Sequence, residues 1–356
     1  MPGEMQAAVM HGVRDVRLER RPRPEPGPGE VLVKVSAVGV CASDVHYYTH
    51  GRIGRYVVER PLVLGHEAAG VVEAVGPDCQ RLKPGDRVTM EPGHTCGRCH
   101  YCKTGRYNLC PYVVFMATPP VHGALVEYLA WPEKFTYAVP DELSLEEAAL
   151  MEPFSVGLWA THLGQVQAGS SVAVFGAGPI GCFVIEAARV RGATTIFAVD
   201  LEPFRLELAR HVGATHLVNG RAQDPVQTIR EVLAPQQGMP AEHSGVDCAF
   251  ETAGTTRTTN MTLAATRPGG DAVLVGLPPD PLVELDIVAA ASREISIHGE
   301  FRYANTYPTA LALAAAGRVD IKSLITHRFG LPEAAEALEF CDTCKHESMK
   351  VVVTLE

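Results

Sequence analysis

No stretch of this 356-residue chain reaches the ~18 to 20 consecutive apolar residues that a membrane-spanning helix needs. The opening Met1-Pro2-Gly3-Glu4 lacks the basic and then apolar pattern of a secretion leader. Long runs of like charge are missing too, and with 46% hydrophobic residues large-scale disorder is excluded. Positive charge is in deficit: 31 Lys and Arg against 41 Asp and Glu give a formal charge of −10. A surface of that sign repels phosphate backbones and argues against a nucleic-acid partner. Internal repeats and low-complexity segments are absent. The expectation is a cytoplasmic, membrane-free protein of roughly two domains at about 150 residues each.

What is present is cysteine. Ten cysteines in a compartment that keeps thiols reduced read as ligands or small core residues rather than disulfides. Four of them fall within fifteen positions.

Residues 7–90 show strand patterns broken by turns. Val31-Leu-Val-Lys-Val-Ser-Ala-Val38 alternates, and Ala69-Gly-Val-Val-Glu-Ala-Val75 is a second β-branched run. Pro24-Glu-Pro-Gly-Pro-Gly29 and Lys83-Pro-Gly-Asp86 punctuate them. No helical periodicity shows here, which predicts a compact β-rich domain. After about residue 155 the character changes. Strands are predicted at Ser171–Phe175, Thr195–Val199, Val246–Phe250, Ala272–Val275 and Glu294–His298, with helices over Gly181–Arg191 and Phe204–Val212. Such alternation predicts an α/β domain with a doubly wound parallel sheet. Beyond residue 298 the pattern is helix, strand, helix, strand, and the last strand, Lys350–Thr354, is expected to return to the first domain's sheet.

Gly176-Ala177-Gly178-Pro179-Ile180-Gly181 follows one predicted strand and opens a helix. Glycines there permit a tight turn and let a pyrophosphate rest on the helix N-terminus. The next strand ends in Asp200, nineteen positions after the last glycine. An acid at that place accepts the hydroxyls of an adenosine ribose and repels a 2′-phosphate, favouring NAD over NADP. Arg205 points the other way, since an arginine nearby can hold a 2′-phosphate or stack on adenine.

Cys96-Gly-Arg-Cys99-His-Tyr-Cys102, followed by Cys110, suits a tetrahedral Zn²⁺ with every position filled by protein, which staples a loop and leaves no room for substrate. His94 and His100 are surplus to such a site and are expected to be solvated. Cys341 and Cys344 read as ordinary helix cysteines, and Cys79, Cys182 and Cys248 as packed ones. A third constellation is dispersed: Cys41-Ala-Ser43-Asp-Val-His46, Gly65-His66-Glu67 and Glu152-Pro-Phe-Ser-Val-Gly157. Taken singly, each has a plainer reading: Cys41 as core, His66 as a satisfied core histidine, Glu67 as a surface carboxylate. Together, soft S, borderline N and harder O donors suit a catalytic zinc that keeps an open position.

Gly65-His66-Glu67-Ala-Ala-Gly70, with Gly76 beyond it, resembles the zinc signature of the medium-chain alcohol and polyol dehydrogenases. The resemblance is closest to the polyol branch, the sorbitol (L-iditol) and xylitol dehydrogenases. Cys41 to Gly54, Arg106-Tyr-Asn-Leu109, Ala117-Thr-Pro-Pro120, Met151-Glu-Pro153 and Phe301-Arg-Tyr-Ala-Asn-Thr306 carry it along nearly the whole chain. It implies a GroES-like β-rich catalytic domain over residues 1–155, completed by 299–356. It further implies a Rossmann NAD-binding domain over 156–298, with NAD and zinc in the cleft between the two.

The same resemblance implies Cys41, His66 and Glu67 as zinc ligands, with Glu152 either a further ligand or a water-mediated neighbour. Ser43 and His46 are implied as a proton relay. Tyr47, Phe115, Thr118, Arg302 and Tyr303 are implied as substrate contacts alongside Glu152. Val275, Leu277 and Phe301 would line the nicotinamide end, and the glycine-rich turn, Asp200 and Arg205 the remainder of the cofactor. Some animal relatives lack the four-cysteine lobe, which is complete here, so two zinc ions per chain are expected. The implied reaction is oxidation of a polyol at C2 to the ketose with hydride transfer to NAD, in a homotetramer. Related zinc dehydrogenases acting on L-arabinitol, galactitol, threonine or butanediol are the alternative.

Overall fold

The structure, a computed structural model, describes residues 3–278 and 282–355. It divides into two units. One contains the chain up to Glu152, Tyr307–Gly317 and the chain from Ile321 onward; the other contains Pro153–Thr306 and Arg318–Asp320. The division thus falls at Glu152/Pro153, inside the helix Met151–Leu163, rather than at 155/156. Residues 299–306, expected with the first unit, belong to the second. The reason is backbone pairing: strand Ser296–Gly299 runs parallel to Thr266–Leu274, and Glu300 N donates to Leu274 O at 3.0 Å.

The first unit is built on strand Glu30–Gly39, whose alternating apolar residues are buried. It pairs antiparallel with Glu67–Val75 on one edge and with the C-terminal strand Lys350–Thr354 on the other. Arg87–Met90 and Thr136–Ala138 extend the sheet beyond Glu67–Val75, and Ile325–Gly330 lies outside Lys350–Thr354. Tyr128–Pro132 also pairs with Glu30–Gly39. Val31, Val33, Val35, Val38, Met90, Val351 and Val353 form part of one apolar core. Burying such side chains contributes about 1.5–3 kcal/mol each and fixes the strand register.

Within residues 7–90 one helix was not foreseen. Ala42–His50 is a helix, in a region where the sequence shows no helical period. Its only apolar or aromatic members after Ala42 are Val45, Tyr47 and Tyr48, too few to mark a stripe. Local capping holds it instead. Cys41 N donates to the Asp44 carboxylate at 3.2 Å, and Gly51, at φ 70°, closes the other end by donating to Tyr47 O at 2.7 Å.

The second unit is a six-stranded, wholly parallel sheet. Its order is His216–Asn219, Thr195–Asp200, Ser171–Phe175, Val246–Glu251, Thr266–Leu274, Ser296–Gly299. Every residue of Ser171–Phe175 is buried. A strand covered on both faces reads as a continuous apolar run, not an alternation. The strand order reverses beside it, and ligands of such sheets bind outside the C-terminal strand ends at that point.

Cys182 and Cys248 are buried, whereas Cys79 is half-buried with Sγ donating to Glu30 O at 3.1 Å. Cys341 lies on helix Ala334–Thr343, and Cys344 caps it. Among the described residues no helix is long and apolar enough to cross a membrane.

Candidate functional site

Strand Glu30–Gly39 ends two residues before Cys41, and the next strand in the sheet begins with Glu67, preceded by His66. Antiparallel pairing places Glu67 opposite Gly39, so the two parts of the constellation meet at one end of this strand pair. The ligand atoms of Cys41, His66 and Glu67 lie within 4.8 Å of one another. His66 and Glu67 are buried. Glu67 Oε1 accepts from Lys350 Nζ at 2.6 Å, whereas Oε2 is buried without a hydrogen-bond donor.

Asp44, in the first turn of the helix after Cys41, orients this group. Its buried carboxylate accepts from Gly65 N at 3.0 Å and Cys41 N at 3.2 Å, and stands 3.4 Å from His66 Nδ1. A carboxylate on one ring nitrogen fixes the imidazole and leaves the other nitrogen for a metal. Burial alone would push the Asp44 carboxyl up, but His66 and the two backbone donors outweigh it and hold it low. Burial likewise opposes charge on His66, yet Asp44 and Cys41 outweigh it and lift His66 well above its ordinary value. The donor set, the orphaned carboxylate oxygen and the pinned imidazole all fit zinc.

Glu152, implied as a possible fourth ligand, stands outside this three-residue group. It opens the helix Met151–Leu163, while the others sit at strand ends; it is buried, and its charge acts on Lys350 and Glu91. Phe115 is beside the group, its ring 5.7 Å from that of His66. Thr118 lies on the same loop, its N–H donating to Phe115 O at 3.2 Å. Tyr47 is buried on the helix that carries Ser43 and His46. The His46 ring stacks on His50 at 4.5 Å, and burial, helped by His50, lowers its pKa.

The four thiols of Cys96, Cys99, Cys102 and Cys110 also cluster within 4.8 Å. Sulfur–sulfur separations of 3.5, 3.6 and 4.0 Å are too long for bonds. They match the edge of about 3.8 Å that a tetrahedron with Zn–S near 2.3 Å requires. Backbone N–H groups of Arg98 and Cys99 lower the Cys96 thiol to about 6, despite some burial. His100 is exposed as expected, but His94 packs edge-on against Trp131 at 5.1 Å.

In the second unit the glycine-rich turn joins the first strand to helix Pro179–Val190, with Gly178 as N-cap and Pro179 in its first turn. At Gly181 a Cβ would lie 1.9 Å from Gly176 O, so only glycine lets helix and turn close up. Ile180 lies in the helix's first turn. Asp200 ends the neighbouring strand; Oδ2 accepts from Ala177 N at 2.7 Å, and Oδ1 accepts from Leu201 N and Glu202 N. A Cβ on Gly178 would be 3.6 Å from an Arg205 guanidinium nitrogen. Turn, acid and arginine are therefore brought together. Val275 and Leu277 follow strand Thr266–Leu274; Leu277 is exposed. Phe301 is exposed, with the Arg302 guanidinium 4.6 Å from its ring centre, and Tyr303 is buried.

Comparison with known proteins decides the family. Residues 27–141 match the model of the alcohol dehydrogenase GroES-like domain, and 179–316 that of the zinc-binding dehydrogenases. The chain is 48% identical over 353 residues to a sorbitol dehydrogenase of Bacillus subtilis, covering 99% of this chain and 98% of that one. It is 44% identical over 351 residues to the sorbitol dehydrogenase of Gallus gallus, covering 99% and 96%. The chain belongs to the zinc-dependent medium-chain dehydrogenases. Among solved structures, an Escherichia coli oxidoreductase of unknown specificity superposes with a TM-score of 0.93 at 37% identity, covering 99% of this chain and all of that one.

Three buried ionisable residues of this dehydrogenase's first unit escaped sequence reasoning. Asp44 lay inside a quoted motif without a role, and Lys350 was visible as a lone cation opening an apolar strand. Glu91 gave no signal at all. It is buried and accepts from Tyr107 Oη at 2.7 Å and Tyr137 Oη at 2.9 Å; burial, against those two donors, pushes its carboxyl from 4.5 up to about 7. Between those values the folded protein keeps a proton that the unfolded chain has released, so this group makes stability fall as pH rises through that window. Glu91→Gln is expected to flatten that decline in urea unfolding at stepped pH. An unaltered slope would mean that Glu91 does not carry it.

Proposed function

We propose that the chain is a zinc- and NAD-dependent polyol dehydrogenase that oxidises a sorbitol- or xylitol-like substrate at C2 to the ketose. The observation that carries this reading is the buried Cys41–His66–Glu67 group, pinned by Asp44, in a chain nearly half identical along its length to a sorbitol dehydrogenase. In this reading Cys41, His66 and Glu67 hold the catalytic zinc, with Glu152 beside it. Cys96, Cys99, Cys102 and Cys110 hold a structural zinc. When bound, the catalytic zinc supplies Lewis acidity to the substrate hydroxyl, and NAD accepts the hydride.

The chain's own residues supply position and proton movement. Ser43 and His46 pass the hydroxyl proton outward; burial, helped by His50, favours the neutral His46 ring, which can take up a proton only transiently before handing it to solvent. Tyr47, Phe115, Thr118, Arg302 and Tyr303 bind and orient the polyol, whose several hydroxyls need several donors and acceptors. Gly176, Gly178, Pro179, Ile180, Gly181, Asp200 and Arg205 hold NAD, and Val275, Leu277 and Phe301 flank its nicotinamide. We place the enzyme in the cytoplasm as a homotetramer.

The test is a panel of sorbitol, xylitol, L-arabinitol, galactitol, threonine and butanediol with NAD, followed by NADH absorbance, with metal counted on the same sample. Turnover of sorbitol or xylitol with two zinc ions per chain is expected. Activity confined to threonine or butanediol would overturn the substrate assignment.

Cofactor choice gives a second measurement. Asp200 serves the turn as well as the ribose, so alanine would strip acceptors from backbone N–H groups; asparagine keeps one and removes the charge. Asp200→Asn is expected to lower the NAD-over-NADP ratio of kcat/KM by roughly 10- to 100-fold, the worth of a charged hydrogen bond. An unchanged ratio would remove Asp200 from the ribose site.

A further inference from the structure

Lys350 is 3% exposed, and its ammonium sits among the metal-site residues rather than in water. Removing an ammonium from water costs several kcal/mol unless it is well paired. Two backbone contacts carry it there. Val352 pairs with Gly39, and Val40 N donates to Val351 O at 2.9 Å, bringing the start of the C-terminal strand level with Cys41. Its Nζ then donates to Val40 O at 2.9 Å and to Glu67 Oε1 at 2.6 Å. Gly39 completes the enclosure: a Cβ there would lie 2.0 Å from Glu67 Oε2, so this wall of the site has room only for the carboxylate. Glu67 is gripped by one oxygen and presents the other, which has no donor of its own.

We propose that Lys350 is a positioning residue for the catalytic metal, holding Glu67 through Oε1 so that Oε2 serves the ion beside Cys41 and His66. This rests on the reading of that group as the zinc site. The same contact sets the charge of the centre. One thiolate and one carboxylate would offset a divalent ion, and Lys350 adds a positive charge beside them, against the buried carboxylates of Asp44 and Glu152. A lysine that merely tied the last strand to the sheet would need only Val40 O.

The test uses cobalt in place of zinc, because the visible absorption of Co²⁺ reports its ligands without turnover. Lys350→Met, Glu67→Gln and the double variant are compared with the parent for cobalt spectrum and for metal affinity against a chelator. Lys350→Met is expected to weaken metal at the Cys41 group by about 10- to 100-fold, as loss of an outer partner does elsewhere, and to shift the cobalt bands. The four-cysteine metal should stay. The double variant should match Glu67→Gln alone, because the lysine acts through the glutamate.

Parent-like affinity and bands in Lys350→Met, or additive losses in the double variant, would overturn the proposal. Should Lys350→Met fail to fold, Lys350→Arg keeps the charge while displacing the carboxylate. Shifted bands there support the assignment, and unshifted bands overturn it. A parent enzyme that takes up no metal at the Cys41 group would instead sink the zinc reading beneath it.

Discussion

A His66→Ala variant is expected to lose about a thousandfold or more in polyol kcat/KM, on the order of 4 kcal/mol of transition-state stabilisation. Its ring is buried, held by Asp44, and adjacent to both other donors. A catalytic zinc rests on three protein ligands, and without the imidazole only Cys41 and Glu67 remain. Elemental analysis should show the metal count falling from two per chain to one, the survivor resting on the four cysteines. NADH binding, followed by its fluorescence, should stay near the parent value, because the glycine-rich turn, Asp200 and Arg205 all belong to the other unit. Full turnover in this variant, or in a chelated parent, would refute the assignment of a catalytic zinc. Loss of NADH binding alongside turnover would point to a folding defect instead.

The second large effect concerns stability. Cys99→Ser removes one corner of a cluster whose sulfurs are 3.5 to 4.0 Å apart. The only secondary structure between Cys96 and Cys110 is the short helix His100–Lys103 and a single 3-10 turn, Tyr107–Leu109. So short a segment buries little apolar surface, and metal binding there is folding free energy. The variant should lose one zinc per chain and melt about 5 to 10 °C lower, a cost of a few kcal/mol. Polyol turnover measured well below the transition should persist, since none of these thiols belongs to the Cys41 group. Retention of both ions and of the parent melting curve would show that the four thiols are not a metal cage.

Much of the second unit was legible because its signals are local. Ser171–Phe175 is apolar throughout since both faces are covered, and Gly181 must be glycine because the backbone of its own turn crowds it. The four-cysteine cluster was legible for the same reason: close spacing along the chain ensures closeness in space. The helix Ala42–His50 was not, because caps rather than an apolar stripe support it. Glu152 shows the limit of resemblance. Implied as a ligand or a water-mediated neighbour, it stands outside the three-residue group, in the first turn of the helix Met151–Leu163.

By itself, then, the sequence determined the donor atoms, the glycine-rich turn with its acid, and the order of strands and helices. These depend on residue chemistry and on contacts a few positions away. Tertiary structure alone decided which donors converge and what surrounds them: Glu67 meets a lysine 283 positions distant, Asp44 reaches both Cys41 and Gly65, and the buried Glu91 carboxyl accepts from two tyrosines. Charge in a protein interior is set by desolvation and by neighbours across strands, neither of which sequence spacing records.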